Sequence, residues 1–277
     1  MRLSQISLLL IAVLVIAGLT QLPKALVDNQ EKSPQKTAPE AQTPTDHARQ
    51  MRPELRLPID ALKKQWESEE NLAKKTTFAD SIANLYKKAN FYDSSAFFRD
   101  WIARQNPEQL QAWQEAGDAY YEAFNFYGII DEAQARQFAE KARAYFDKVL
   151  KERPNDLDIQ AKKAVTLVLS ENPMQGIQQL RGILEKNPDN ELALLNLGLF
   201  AMQSNQFDKA AERFEKLISV NPKQGEAKIL LGQSYERLGQ KDKATRILQE
   251  VLQTEKDSLL RAAASDLLQQ LNGLTKK

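Results

Sequence analysis

The chain has 277 residues, 38 basic and 37 acidic side chains, a formal net charge of +1, one histidine and no cysteine. So balanced a charge argues against a nucleic-acid binder, because a phosphate-binding face needs a surplus of Lys and Arg. Without cysteine there are no disulfides, Cys-based zinc sites or thiol nucleophiles, and His47 alone leaves imidazole chemistry little to work with.

The first element is an apolar N-terminal segment, residues 1–27. No charge occurs between Arg2 and Lys24, and the intervening residues are rich in Leu, Ile and Val. As a helix the stretch would measure about 31 Å, close to the ~30 Å hydrocarbon layer of a bilayer. It therefore reads as a transmembrane helix. A cleaved signal peptide is the alternative, but its small-x-small site is poorly matched by Val15-Ile16-Ala17, Gly18-Leu19-Thr20 or Pro23-Lys24-Ala25. The short basic head favours an N-terminus inside the cell inner membrane and a single-pass protein whose body is periplasmic. Cleavage would instead release that body to the periplasm.

Residues 28–57 are expected to be a disordered, Pro-rich linker. They carry Pro34, Pro39, Pro44 and Pro53 and few apolar side chains that could offset the entropy of ordering. Ser33-Pro34-Gln35-Lys36 matches a Ser-x-x-Lys nucleophile pattern, but a linker offers it no pocket, and His47 reads as a solvated tether residue. Residues 58–75 follow as an N-terminal capping helix with Leu62 and Trp66 on one face.

Beyond the linker the prolines become periodic. Pro107, Pro154, Pro188 and Pro222 follow Asn or Arg, and the last three are spaced by 34 residues. Stepping by 34 also carries Ala164 to Gly198 and Gly232, Gly176 to Ala210 and Ala244, and Leu180 to Phe214 and Leu248. A fixed period of this size marks a solenoid. Each unit reads as two antiparallel helices, with small residues allowing close approach and Pro ending the second helix. The interval from Pro107 to Pro154 is 47, which is one period plus an insertion of 13. That insertion, around Glu122–Ala135, either forms an exposed aromatic loop or lengthens both helices. The second is favoured because the helical pattern continues through Phe138, with Gly128 as the tip. Units are expected at 76–109, 110–156, 157–190, 191–224 and 225–258, with residues 259–277 as a C-terminal capping helix and tail.

The residues of these units resemble the tetratricopeptide repeat (TPR) family. That pattern has an aromatic residue, Leu-Gly and Tyr on the first helix, then Ala, Phe and Pro on the second. The second unit carries Trp113, Gly117, Tyr120, Ala142, Phe146 and Pro154. The fourth carries Leu194, Leu197, Gly198, Ala210, Phe214 and Pro222, and the fifth Leu231, Gly232, Tyr235, Ala244 and Leu248. The first unit is degenerate, with Ser95 and Arg99 where Ala and Phe are usual. The third places Gln160 and Lys163 at usually apolar positions. The resemblance implies an all-α fold, a TPR-type α-solenoid forming a right-handed superhelix of helix-turn-helix repeats, here with an N-terminal transmembrane helix.

It also implies a concave face lined by the first helices, through which protein or peptide partners bind. The positions concerned are Asp80, Asn84 and Lys87, then Gln114, Asp118 and Tyr121, then Ala161, Val165 and Val168. The fourth unit adds Leu192, Leu195, Leu199 and Met202, and the fifth Ile229, Gln233 and Glu236. The face is thus polar in its first half and apolar in its second. Co-chaperone clamps hold a C-terminal carboxylate with Lys, Asn and Arg on these inward positions. Here Ala161, Val165 and Glu226 occupy the corresponding places and Asn196 is the only match, so that ligand is not expected. The apolar half has two readings. It is a groove for an apolar segment, or it reflects a central helix buried on all sides. The expected role is a non-enzymatic, membrane-tethered scaffold in envelope protein assembly, with no cofactor and no metal. A subunit of a cytochrome c biogenesis apparatus is the alternative, disfavoured by the lack of a His or Cys set.

Overall fold

A computed structural model describes residues 51–168 and 173–273. The anchor, most of the linker with His47 and Ser33–Lys36, and residues 274–277 lie outside the described residues. Twelve helices, and no strand, occur among those described. They are α1 (Pro53–Ser68), α2 (Leu72–Lys88), α3 (Tyr92–Gln105), α4 (Leu110–Tyr127), α5 (Glu132–Glu152), α6 (Leu157–Thr166), α7 (Pro173–Lys186), α8 (Glu191–Gln203), α9 (Phe207–Val220), α10 (Gly225–Arg237), α11 (Lys241–Thr254) and α12 (Ser258–Gly273). None is long and apolar enough to cross a membrane.

Local chemistry sets these boundaries. Asn71, Asp131, Asp156 and Asn190 each precede a helix and accept a hydrogen bond from the backbone N–H three residues on. Each satisfies a donor that the first turn would otherwise leave unpaired. Asn90, Asn205 and Gly239 adopt positive φ (66°, 57° and 71°) in the α2–α3, α8–α9 and α10–α11 turns. There the backbone N–H of Phe91, Gln206 and Gln240 reaches back to the carbonyl oxygen of Tyr86, Ala201 and Tyr235. This six-to-one bond is the helix-ending arrangement that needs a left-handed residue. Asn205 and Gly239 are 34 positions apart, so the period extends to backbone conformation.

Three boundaries differ from the sequence reading. Helix α1 begins at Pro53, inside the stretch expected as linker, because Pro suits a first helical position and Leu55 and Ile59 are buried. The expected single cap of 58–75 is instead divided. Extended backbone at Glu69 ends α1, and Asn71 caps α2, which starts at Leu72 rather than at 76. Trp66 anchors α1 by edge-on contact with Phe98 and Trp101, at 5.3 and 5.4 Å between ring centroids. The last helix spans Ser258–Gly273. The 13-residue insertion lengthens α4 and α5 to 18 and 21 residues. Its aromatics pack inward, Phe126 on Tyr92 and Tyr127 on Phe138, both at 5.2 Å.

Consecutive helices pack antiparallel, and first helices also meet one another, α4 with α6, α6 with α8, and α10 with helix α12. Close approach within pairs depends on small residues. A Cβ added at Gly198 would lie 2.5 Å from the fully buried Phe214 ring, and one at Gly176 would lie 2.4 Å from the Ala164 carbonyl oxygen. The apolar core is continuous from Ile59 to α8, and a second cluster runs from α8 to Leu271. Helix α8 serves both. Ala193 and Leu197 belong to the first cluster, Ala201 and Met202 to the second, and Leu194 meets Leu217 and Ala227 in a third.

Candidate functional site: the face of the first helices

In the N-terminal half, this face is a ladder of ion pairs between units. Arg99 on α3 donates from Nη1 to Asp80 (2.5 Å) and Glu115 (2.7 Å), and from Nη2 to Asn84 (2.8 Å). Lys87 pairs with Glu122, Arg153 donates to Gln114, and Lys162 pairs with Asp118 at 2.7 Å. A cleft of about 280 Å³ opens here between α2 and α4, with Thr76, Thr77, Arg99, Gln109 and Glu115 on its walls. Arg99 is 15% exposed and already donates to two carboxylates and an amide. With two carboxylates against one guanidinium the cleft carries net negative charge and is poorly suited to an anion. The polar character expected for this half is present, but its groups serve to clamp neighbouring units.

In the C-terminal half, nine of the residues expected to contact partners divide into two groups by burial. Val165, Asn196, Met202 and Ile229 are buried and belong to the interior, which corrects their placement on an open face. Val165, Met202 and Ile229 lie inside the two main clusters. Asn196 turns its Nδ2 back to donate to the Leu192 carbonyl at 2.8 Å. For Asn196 and Met202 the physical reason is the seam at α8, where a helix shared by two cores has little surface left to expose, and Val165 and Ile229 are covered by the cores on either side of it. Tyr121 is half-buried against Phe124 and Phe146, and burial pushes its phenol up to about 12, opposed by a hydrogen bond with Asn125.

Val168, Leu192, Leu195, Leu199 and Gln233 are half-buried and reach solvent. Leu192, Leu195 and Leu199 follow the i, i+3, i+7 pattern of one helix stripe. By the 34-residue register they correspond to Glu226, Ile229 and Gln233 on α10. The backbones of α8 and α10 approach each other less than those of α6 and α8. Side chains bridge the interval, with Leu195 and Leu199 packed against the cluster that holds Ile229. The result is a shallow apolar strip with polar groups along its α10 edge.

Glu226 was not among the residues expected to contact partners, although the repeat register places it opposite Leu192. It is half-buried by area, and desolvation raises its carboxyl from the ordinary value near 4.5 to about 7. In the unfolded chain the proton leaves near 4.5, and in the folded chain only near 7. Between those values the folded state holds more protons, so stability falls as pH rises through the window and is level outside it. The full displacement corresponds to at most about 3 kcal/mol. Glu226→Gln is therefore expected to raise stability by about 1–3 kcal/mol at pH 8 and to leave it unchanged at pH 4. Urea denaturation at the two pH values measures this, and an equal effect at both would show that the carboxylate is not desolvated.

The geometry agrees with comparisons to known proteins. Among solved structures, a thermophilic TPR protein of Thermus thermophilus is 16% identical with a TM-score of 0.54, over 70% of this chain and 98% of its own. A tetratricopeptide repeat protein of Parabacteroides merdae is 15% identical with a TM-score of 0.52, over 76% of this chain and 77% of its own. At such identities the likeness is one of fold. Residues 201–271 match the family model of the tetratricopeptide repeat. Paired helices, a 34-residue register and these similarities together make the described residues an all-helical, TPR-like solenoid.

Proposed function

We propose that the protein is a non-enzymatic scaffold that binds partner proteins or peptides along the strip of Leu192, Leu195 and Leu199. The supporting observation is that these three leucines share one stripe of α8 and stay half-exposed, while every other apolar residue of that helix except Phe200 is buried. Large side chains that could complete the core instead line a surface where a partner would remove them from water. Residues 1–27 would tether the solenoid to the cell inner membrane, placing it in the periplasm for a role in envelope protein assembly.

Site-specific photo-crosslinking in membranes tests this. A photo-reactive residue at Leu199 in the full chain is expected to give discrete protein adducts, and one at exposed Glu212 on α9 is not. Equal labelling from both positions would remove the strip as the binding surface. Protease protection of the repeat region in intact cells, lost when the outer membrane is permeabilised, is expected for a periplasmic solenoid. Protection that survives permeabilisation would place it on the other side.

A further inference from the structure

We propose that the partner segment is a basic apolar peptide, whose hydrophobic side chains cover Leu192, Leu195 and Leu199 and whose Lys or Arg side chain meets Glu226. The inference rests on the proposed role of this strip and specifies the chemistry of its occupant. Among the described residues no ion pair or hydrogen bond engages the Glu226 carboxylate. The two cations on α10 are committed elsewhere, while Lys223 in the preceding turn is exposed to solvent. Lys228, 3% exposed, donates to Glu250 on α11 at 2.7 Å, and the Arg237 guanidinium lies 4.5 Å over the Phe207 ring. Gln233, two turns along the same stripe, has a buried side-chain oxygen with no hydrogen-bond partner.

The edge of the strip thus offers a carboxyl group without an ion pair and an amide oxygen without a hydrogen-bond partner. An unpaired carboxylate in an apolar setting is unfavourable unless something neutralises it. A cation from a partner would regain that loss on binding, whereas a neutral or acidic peptide would leave or worsen it. Charge complementarity therefore selects a basic segment, and the leucines select an apolar one. The polar half of the face offers no equivalent site, because Asp80, Asp118, Glu115 and Glu122 already hold cations from the chain itself.

The test uses full-length chain in detergent and fluorescent peptides of Leu, Ala and Ser, identical except for one central Lys, Gln or Glu. The Lys peptide is expected to bind about tenfold tighter than the Gln peptide, and the Glu peptide more weakly still. Glu226→Gln should remove that preference, and Glu226→Lys should invert it in favour of the Glu peptide, a gain that a merely misfolded variant would not show. Equal affinity for the three peptides, or a Lys preference unchanged in Glu226→Gln, overturns the assignment of Glu226 even if binding to the strip persists. Peptide binding that is absent, or unaffected by Leu199→Glu, overturns the underlying reading of the strip as well.

Discussion

Met202→Glu is expected to unfold the C-terminal part of the array, while Leu199→Glu leaves it folded and removes partner binding. The two residues lie three positions apart on one helix and both looked like open-face positions from the repeat register. Met202 is 4% exposed and sits in the cluster with Ala210, Phe214, Ile229 and Leu230. A carboxylate there would lose its hydration with no partner to replace it, at a cost of about 3–5 kcal/mol. Leu199 keeps an open side, so its glutamate can turn to water, and a change of about 1 kcal/mol is expected.

Solenoid units are stabilised mainly by their neighbours, so the Met202 effect should stay regional. All three tryptophans, Trp66, Trp101 and Trp113, lie in the N-terminal half. In Met202→Glu, amide exchange should therefore accelerate in α9–α12 and helical ellipticity should fall, while tryptophan fluorescence keeps its native spectrum. A Met202→Glu variant as stable as the parent would show that this residue faces solvent after all.

The second large effect concerns the contact of α8 with α9. Phe214 is fully buried, and its ring occupies the space that a side chain at position 198 would need. Phe214→Ala is expected to cost about 3–5 kcal/mol through lost burial and the cavity left behind. Gly198→Val is expected to cost about 1–3 kcal/mol by overpacking, because Cε1 and Cζ of Phe214 lie only 2.5 and 2.7 Å from an added Cβ. The diagnostic result is the double variant. The valine fills part of the space vacated by the ring, so the pair should be less destabilised than the sum of the single changes. Urea titrations of the four proteins give the coupling directly, and strict additivity would mean that the ring and the glycine do not share that space.

Much of this architecture is legible in order along the chain. The 34-residue steps from Ala164 to Gly198 and Gly232, and from Leu180 to Phe214 and Leu248, locate the close contacts within pairs before any coordinate is known. Such contacts are local, and a residue that must be small to admit a facing ring leaves its mark at a fixed spacing. The turns are legible for the same reason, since Asn205 and Gly239 supply the backbone conformation that their own helices require. The α1–α2 break was less visible, because Glu69, Glu70 and Asn71 are polar residues that a helix surface also accepts.

The candidate site was legible only in outline. The register drew attention to the stripe of Leu192, Leu195 and Leu199, but it could not separate these from Met202 and Ile229. Exposure on a solenoid face depends on how far each unit is displaced from the next, and that displacement is the sum of many side-chain packings across α8, α9 and α10. The same dependence hid the setting of Glu226, which the register places on this face but whose type suggests a solvated helix start and whose surroundings deprive it of water. Sequence periodicity determines which residues share a helix face and which helices pair, because those relations repeat along the chain. Only the tertiary structure decided which members of a face remain open and which charge lacks a partner, because both depend on neighbours from other units.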